Sequence, residues 1–314
     1  MHPLNALPAA IEFAFDPILR LGEVGVRLET VALAVVLLVA LVLAARIGLT
    51  TPVNVARPAS APGATSEDVN HLRPDDLLYI AVAALPGAVA GGRLGHVLLH
   101  LDFYAANPAA ILDPGTGGLA LPLAVLGGIL TSAVVAALLG APVVRWLHAA
   151  TVPLLLALAA GKAALILGGD SQGLPSELPW ATSYVGPGPW GSLAPDVASH
   201  PAQAYEALAT VMALAIVVAV LRGGGFRSRD GRVLALGLGL WAAGRFSVAF
   251  VSREAEVLGP LRAEHLVSGA MLAIMVGWYG ALTVRARRRP VSPPVVDGVG
   301  GTADWPDPAT RPRF

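Results

Sequence analysis

One short polar segment, His200-Pro-Ala-Gln-Ala-Tyr-Glu206, carries the side chains in this sequence that are best suited to chemistry. It brings a base, an amide, a phenol and a carboxylate to the start of an apolar run that ends near Leu221. Ionisable groups at the edge of a membrane span are costly to keep there and usually have a function. Because residues three apart are neighbours on a helix surface, we expect His200, Gln203 and Glu206 to converge.

Each of these residues also has a purely structural interpretation. A histidine followed by Pro201 can cap a helix whose first turn tolerates proline. Tyr205 can belong to an aromatic belt at the membrane interface, and Gln203 can bond to the backbone. Glu206 is harder to explain in this way, since a carboxylate in an apolar run is expensive.

Three cations interrupt other apolar runs, namely Arg93, Lys162 and Arg245. Helical rise places Lys162 near the middle of its span and the two arginines toward the outer side. Such charges need a carboxylate, here Glu206 or Asp170, or an anionic ligand. Guanidinium groups bind phosphate oxygens in a fork. The sequence therefore predicts that the three cations gather in one chamber that receives a phospholipid phosphate beneath the outer leaflet.

The alternatives for these cations remain open. Arg93 can snorkel to the interface, and Arg245 can do so less easily. Lys162 lies too deep to snorkel, and its structural alternative is a buried ion pair.

Composition sets the class of protein. Of 314 residues, 55% are hydrophobic and only 13% are charged, with a mean hydropathy of +0.67. A soluble domain of this composition would expose too much apolar surface, so we predict an all-α membrane protein. The absence of cysteine excludes disulfides, thiolate catalysis and cysteine metal sites. No metal site or cofactor is predicted, and the zero net charge gives no sign of nucleic-acid binding.

Seven runs are long enough to span a membrane: 30–47, 77–99, 119–139, 151–169, 204–221, 233–252 and 265–284. Residues 11–27 are too charged to span and indicate an interfacial segment. The prolines and glycines of 169–199 argue against regular structure there. The predicted organisation is an interfacial segment (1–28), a seven-helix membrane domain (29–286) and a disordered cytoplasmic tail (287–314).

Basic residues in the loops indicate the orientation. Arginines concentrate between spans five and six and after span seven, whereas no Lys or Arg lies between spans two and three or in 169–203. This pattern predicts an outer N-terminus, a cytoplasmic C-terminus and an outer-face loop region.

The sequence resembles the bacterial prolipoprotein diacylglyceryl transferases from about Phe15 to Ala286. The most specific likeness is His200-Pro-x-Gln-x-Tyr-Glu206, which is similar to the family's His-Pro-Ser-Gln-Leu-Tyr-Glu. Further similar segments are Asp16-Pro17, Gly92-Arg93-Leu94-Gly95 with Val97, Asn107-Pro108, Gly117-Gly118-Leu119, Leu174-Pro175 through Ala181, and Gly244-Arg245-Phe246 with Phe250 and Arg253-Glu254.

The resemblance implies a cofactor-free enzyme of the bacterial plasma (inner) membrane, active at the outer face. It would transfer the diacylglyceryl group of phosphatidylglycerol to the lipobox cysteine thiol in the signal peptide of a prolipoprotein. The candidate catalytic residues are His200 as base, with Lys162 and Arg245 on the phosphate. The expected partners are phosphatidylglycerol, the prolipoprotein signal peptide and membrane lipids. The candidate substrate-binding residues are Arg93, Asp170, Gly173, Gln203, Tyr205, Glu206 and Arg253.

The chain departs from the family at its signature, Gly-Arg-x-Gly-Asn-Phe-x-Asn-x-Glu-x-x-Gly. Lys162 replaces the arginine, Asp170 replaces the glutamate, and Leu165 and Gly168 replace the asparagines, whereas Gly161 and Gly173 persist. In addition, Pro122 aligns with a third-span histidine, Glu29 with a first-span tyrosine and Ala249 with a glutamate.

Two other functions compete with the transferase. These substitutions favour a catalytically inactive, lipid-binding relative that assists lipoprotein handling. A small-molecule transporter is disfavoured because the sequence has no inverted repeat or paired broken spans.

Overall fold

The computed structural model describes residues 11–51, 72–113, 116–254 and 256–288. Seven helices in these ranges are long and apolar enough to cross a membrane, which confirms the predicted all-α membrane fold. The helices are α1 (Leu28–Thr50), α2 (Pro74–Leu99), the short α3 (Leu101–Ala106), α4 (Leu121–Leu138), α5 (Val143–Ala164), α6 (Ala202–Arg222), α7 (Arg232–Val248) and α8 (Ala263–Arg288).

The fourth span is the one whose predicted position, 151–169, is wrong. The helix begins at Val143 and ends at Ala164, and a single 3₁₀ turn follows at Leu165–Leu167. Hydropathy excludes Arg145 and His148 from a span, but a helix can carry long polar side chains near its end, where they reach the interface. At the other end, Gly169 has φ +76° and cannot continue the helix.

Helices α2 and α4 pack backbone to backbone through glycine. A Cβ added at Gly127 would lie 2.1 Å from the carbonyl oxygen of Gly87, and one at Gly91 would lie 2.3 Å from that of Leu123. Small residues allow this approach, and dispersion across it is a main source of helix association in lipid. Gly87, Gly91 and Gly127 thus allow close packing of the two helices that carry one wall of the site.

The best-buried core lies between α5, α6, α7 and α8. Its buried residues include Trp241 of α7 together with Leu155, Val217 and Met271 from the other three helices. These four helices therefore form a rigid frame for the charged side chains at their ends.

Short strands organise the end of the bundle where α1 begins: β1 (Ile11–Phe13), β2 (Ile18–Leu21), β3 (Val24–Arg27), β4 (Thr182–Tyr184), β5 (Glu256–Leu258) and β6 (Leu261–Arg262). Strands β2 and β3 form a hairpin that leads directly into α1, and β1 pairs in parallel with β4. Residues 11–27 thus contain three short strands, and their position at the membrane interface stays a prediction.

The loop 169–199 contains β4 as its one strand, in agreement with the predicted lack of regular structure. Helix α8 continues to Arg288, and the remainder of the predicted tail lies outside the described residues.

Candidate active site

Four charged side chains from four helices meet at one end of the bundle. The Lys162 ammonium lies 3.1 Å from the Glu206 carboxylate, and the Arg245 guanidinium donates to both Glu206 and Glu264. Lys162 is in the last turn of α5 and Glu206 is in the second turn of α6. Arg245 is in the last turn of α7, and Glu264 is in the first turn of α8. Because successive helices run antiparallel, these positions share one end, and we call the set the charged quartet.

Three members of the quartet are buried, and Glu264 is half-buried. Lys162 is 9% exposed, and Glu206 and Arg245 are each 6% exposed. A buried charge is tolerated when an opposite charge and hydrogen bonds compensate its lost hydration. These contacts confirm the expectation that Glu206 provides a counter-charge. They also confirm the buried ion pair that was the structural alternative for Lys162.

A cavity of about 510 Å³ opens beside the quartet and is lined by all four of its members. Arg253 and Glu254 contribute two further charges, and His96 of α2 and His100, directly after α2, contribute two imidazoles. The lining also includes Leu119 and Ala120, which precede α4, and Leu121 and Pro122, which begin it. The cavity therefore combines three cations and three carboxylates with an apolar wall.

Arg93 lies elsewhere, and the expectation that all three cations share one chamber is wrong for it. Its guanidinium donates to four backbone carbonyls, those of Ala110, Ile111, Asp113 and Thr116, and it is not among the cavity residues. A fork with five donors satisfies a turn of irregular backbone as well as it satisfies a phosphate. Arg93 therefore holds the loop between α3 and α4.

Asp170 does not orient the cavity cations, contrary to expectation. Its carboxylate accepts a hydrogen bond from Arg27 at 3.2 Å, and the Arg27 guanidinium also lies 2.7 Å from Glu29. The loop after α5 carries Asp170 away from Lys162 and toward the start of α1. The pairing thus ties that loop to the hairpin β2–β3.

His200 and Tyr205 form a polar chain with Trp180 beside the cavity. The Trp180 indole N–H donates to the Tyr205 hydroxyl at 2.7 Å, and His200 Nδ1 lies 3.4 Å from the same oxygen. Neither His200 nor Tyr205 lines the cavity. Of the three residues expected to converge, Glu206 alone faces it.

Gln203 forms a hydrogen bond with a side chain, whereas its structural interpretation was a bond to the backbone. Its amide donates to the Tyr184 hydroxyl at 3.0 Å, and both residues are buried. Burial raises the pKa of Tyr184 to about 12, so the phenol stays protonated at neutral pH. This bond joins β4 to α6 and fixes the start of the helix that carries Glu206.

Gly173 and Arg253 close the loop after α5 against the end of α7. Arg253 donates to the Gly173 carbonyl and, at 2.6 Å, to the Ser199 hydroxyl. A Cβ at Gly173 would lie 2.4 Å from the carbonyl oxygen of Val251, so only glycine fits. Gly173 acts through this packing, while Arg253 also lines the cavity.

The structure thus gathers four of the predicted site residues around the cavity, namely Lys162, Glu206, Arg245 and Arg253. Sequence reasoning missed Glu264, Glu254, His96 and His100, which come from two other parts of the chain. A charged residue in the first turn of a span was the available signal for Glu264. Within the described ranges, no group of three His, Asp or Glu side chains is placed to hold a metal ion.

Comparison with known proteins gives a uniform result. Residues 19–281 match the family model described as prolipoprotein diacylglyceryl transferase. Phosphatidylglycerol–prolipoprotein diacylglyceryl transferases of Nostoc sp. and Trichormus variabilis are each 27% identical, over 74% and 70% of this chain and 82% and 78% of their own. The protein of that name from Chromohalobacter salexigens is 32% identical over 69% of this chain and 77% of its own.

Proposed function

Because the chain belongs to the prolipoprotein diacylglyceryl transferase family, we propose that it transfers the diacylglyceryl group of phosphatidylglycerol to the lipobox cysteine of a prolipoprotein. The observation that carries this proposal is the charged quartet beside a cavity at one end of a seven-helix bundle. The thiol sulfur forms a bond to the glyceryl carbon, the carbon–oxygen bond to phosphate breaks, and glycerol phosphate leaves.

Lys162 and Arg245 would stabilise the phosphate as it departs. An ammonium has three donors and a guanidinium five, so neither cation is exhausted by its contacts with Glu206 and Glu264. Fixed cations in a site shielded from water stabilise developing negative charge more strongly than the same cations in water. Glu206 and Glu264 would hold the two cations in position, and Arg93 would act at a distance by shaping the loop between α3 and α4.

A neighbouring apolar groove would take the acyl chains of the lipid. The groove has a volume of about 340 Å³ and lies between α2, α4 and α8. It shares Leu99 and Val267 with the charged cavity, so an apolar path continues from the headgroup region. A phospholipid needs this combination of charged pocket and adjoining apolar surface.

The location proposed is the bacterial plasma membrane, with the cavity facing outward. The arginines that follow α6 and end α8 lie at the opposite end of the bundle from the quartet. Basic residues favour the cytoplasmic side, which would turn the quartet and the loop 169–199 toward the exterior. Signal peptides that have been translocated present their cysteine on that side.

An inactive lipid-binding relative is the second candidate. The observation favouring it is that the cations of the quartet are already matched by carboxylates, so that the quartet carries no net charge. A lipid could then bind without being turned over.

Complementation of a strain depleted of its own transferase tests the proposal. We expect growth with the unmodified chain and none with Lys162→Ala or Arg245→Ala. Arg287→Ala, which removes an exposed cation at the far end of α8, is the matched control and should support growth. Failure of the well-expressed unmodified chain to support growth would favour the inactive relative.

A further inference from the structure

The proposed transfer, on which this inference rests, needs a group that removes the thiol proton, and two imidazoles line the cavity. His96 and His100 lie four residues apart at the end of α2. An imidazole has an unperturbed pKa of about 6.5 against about 8.5 for a thiol. It is therefore the side chain best matched to take a thiol proton near neutral pH.

The two rings form a packed pair. Their centroids are 4.3 Å apart, and the His96 ring also meets Tyr104 edge-on at 6.0 Å. Gly117 makes room for this arrangement, because a Cβ there would lie 2.4 Å from His96 Nε2 and 2.6 Å from the Tyr104 oxygen. The half-buried His96 is thus held from two sides, whereas His100 stands exposed at the rim.

One hydrogen bond determines which His100 nitrogen is available. Nδ1 lies 2.9 Å from the backbone carbonyl oxygen of His96. A carbonyl only accepts, so the bonded nitrogen carries the hydrogen, and Nε2 of the neutral ring keeps its lone pair. This is the arrangement in which a second group fixes the tautomer of a histidine base.

The other ionisable groups of the cavity already have partners. Glu206 and Glu264 accept from the quartet cations, and Glu254 accepts the backbone N–H of Glu264 at 3.3 Å. A carboxylate is also a weaker base toward a thiol than an imidazole is, by about two pKa units. Lys162, Arg245 and Arg253 are donors.

We propose that His100 is the general base that takes the cysteine thiol proton, and that His96 is the positioning residue that holds its ring at the rim of the cavity. The proton passes from sulfur to Nε2 as the sulfur–carbon bond forms and the carbon–oxygen bond to phosphate breaks. The imidazolium then returns the proton to the released glycerol phosphate or to water. No other reactant is required.

The test uses the full chain in phosphatidylglycerol vesicles with a synthetic lipobox peptide. We expect His100→Ala and His100→Gln to lower kcat by about 100-fold or more, which is the usual contribution of a general base, with KM for the peptide unchanged. Added imidazole should restore part of the rate to His100→Ala. His96→Ala should cost less and should not respond to imidazole.

A selenocysteine peptide separates base catalysis from structural damage. A selenol ionises without help at neutral pH, so the His100→Ala defect should shrink with this peptide, whereas a misfolded site would stay slow. His148→Gln removes an imidazole from the other end of α5 and is the control. Using both His100→Ala and His100→Gln guards against one variant that fails to fold.

The outcomes separate the two proposals. An active unmodified chain whose rate survives His100→Ala within threefold, or whose rate is lost only in His200→Ala, overturns the assignment of His100 alone. An unmodified chain that transfers nothing to the peptide overturns the transferase function and this assignment together.

Discussion

Arg93 and Arg245 look alike in the sequence and differ in the structure. Each follows a tightly packed glycine, with a hypothetical Cβ meeting Leu119 at 3.0 Å for Gly92 and Ala209 at 2.9 Å for Gly244. Arg93 donates to four backbone carbonyls, whereas Arg245 donates to two carboxylates beside the cavity.

The role of a buried cation therefore depends on the groups to which it donates. The four carbonyls that Arg93 binds all belong to the segment between α3 and α4, so this guanidinium braces that segment and its role is structural. A carboxylate, in contrast, is itself an anion. A cation held by carboxylates therefore lies in a site where another anion can replace a carboxylate or bind beside it. A Gly-Arg pair within an apolar run does not distinguish these cases.

The largest expected loss of stability follows from removing the Glu206 carboxylate, to which Arg245 donates. Glu206→Gln leaves Lys162 and Arg245 buried without their shared carboxylate, and breaking a buried pair in this way costs about 3–5 kcal/mol. Thermal unfolding in detergent measures it. The double variant Glu206→Gln, Lys162→Met should recover part of the loss. Purely additive losses would mean that the two side chains are not coupled.

Removing Arg93 should reduce stability and spare lipid recognition. Arg93→Ala removes four hydrogen bonds to carbonyls between α3 and α4, at a cost of about 1.5–3 kcal/mol, the range for charge-assisted hydrogen bonds. Thermal unfolding would record this, and the affinity for phosphatidylglycerol, measured on the folded fraction, should stay unchanged. A selective loss of lipid affinity with normal stability would return Arg93 to the headgroup site.

The contact of α2 with α4 provides the next test, since it positions the helix that carries Arg93. Gly91→Ala should destabilise the protein by about 1–3 kcal/mol through overpacking. Gly277→Ala on α8 is the matched control, because a Cβ there meets nothing within 4 Å, and it should be neutral or slightly stabilising. Equal effects at the two glycines would contradict the close packing.

The smallest effect is expected at Tyr184. Tyr184→Phe removes the hydroxyl that accepts from Gln203 and leaves a buried amide donor unpaired. The cost should be about 1–3 kcal/mol, toward the lower end because one neutral bond is lost. A melting temperature equal to that of the unmodified chain would show that Gln203 finds another partner.

Much of the fold follows from the sequence because apolar length and periodicity determine helices that cross a membrane. The number of spans, seven, is confirmed, although the fourth begins earlier than predicted. The start of α5 was harder to predict from the sequence, because Arg145 and His148 lower the local hydropathy there.

The candidate site was predictable only in part. Glu206 beside Lys162 follows from the rule that a buried cation needs a carboxylate. The pairing of Asp170 with Arg27, at a separation of 143 residues, depends on where the hairpin β2–β3 lies against the loop after α5. The arrival of His100 at the cavity depends on the α2–α4 contact. The spacing of residues along the sequence predicts neither of these two tertiary contacts.

Mass spectrometry of a synthetic lipobox peptide incubated with the full chain in phosphatidylglycerol vesicles tests the central claim most directly. We expect the peptide to gain one diacylglyceryl group, and Arg245→Ala to slow this gain by about 100-fold or more, as loss of a fixed charge at a transition state does. A peptide whose mass stays unchanged with the folded, unmodified chain, or a rate that is unaffected by Arg245→Ala, would contradict it.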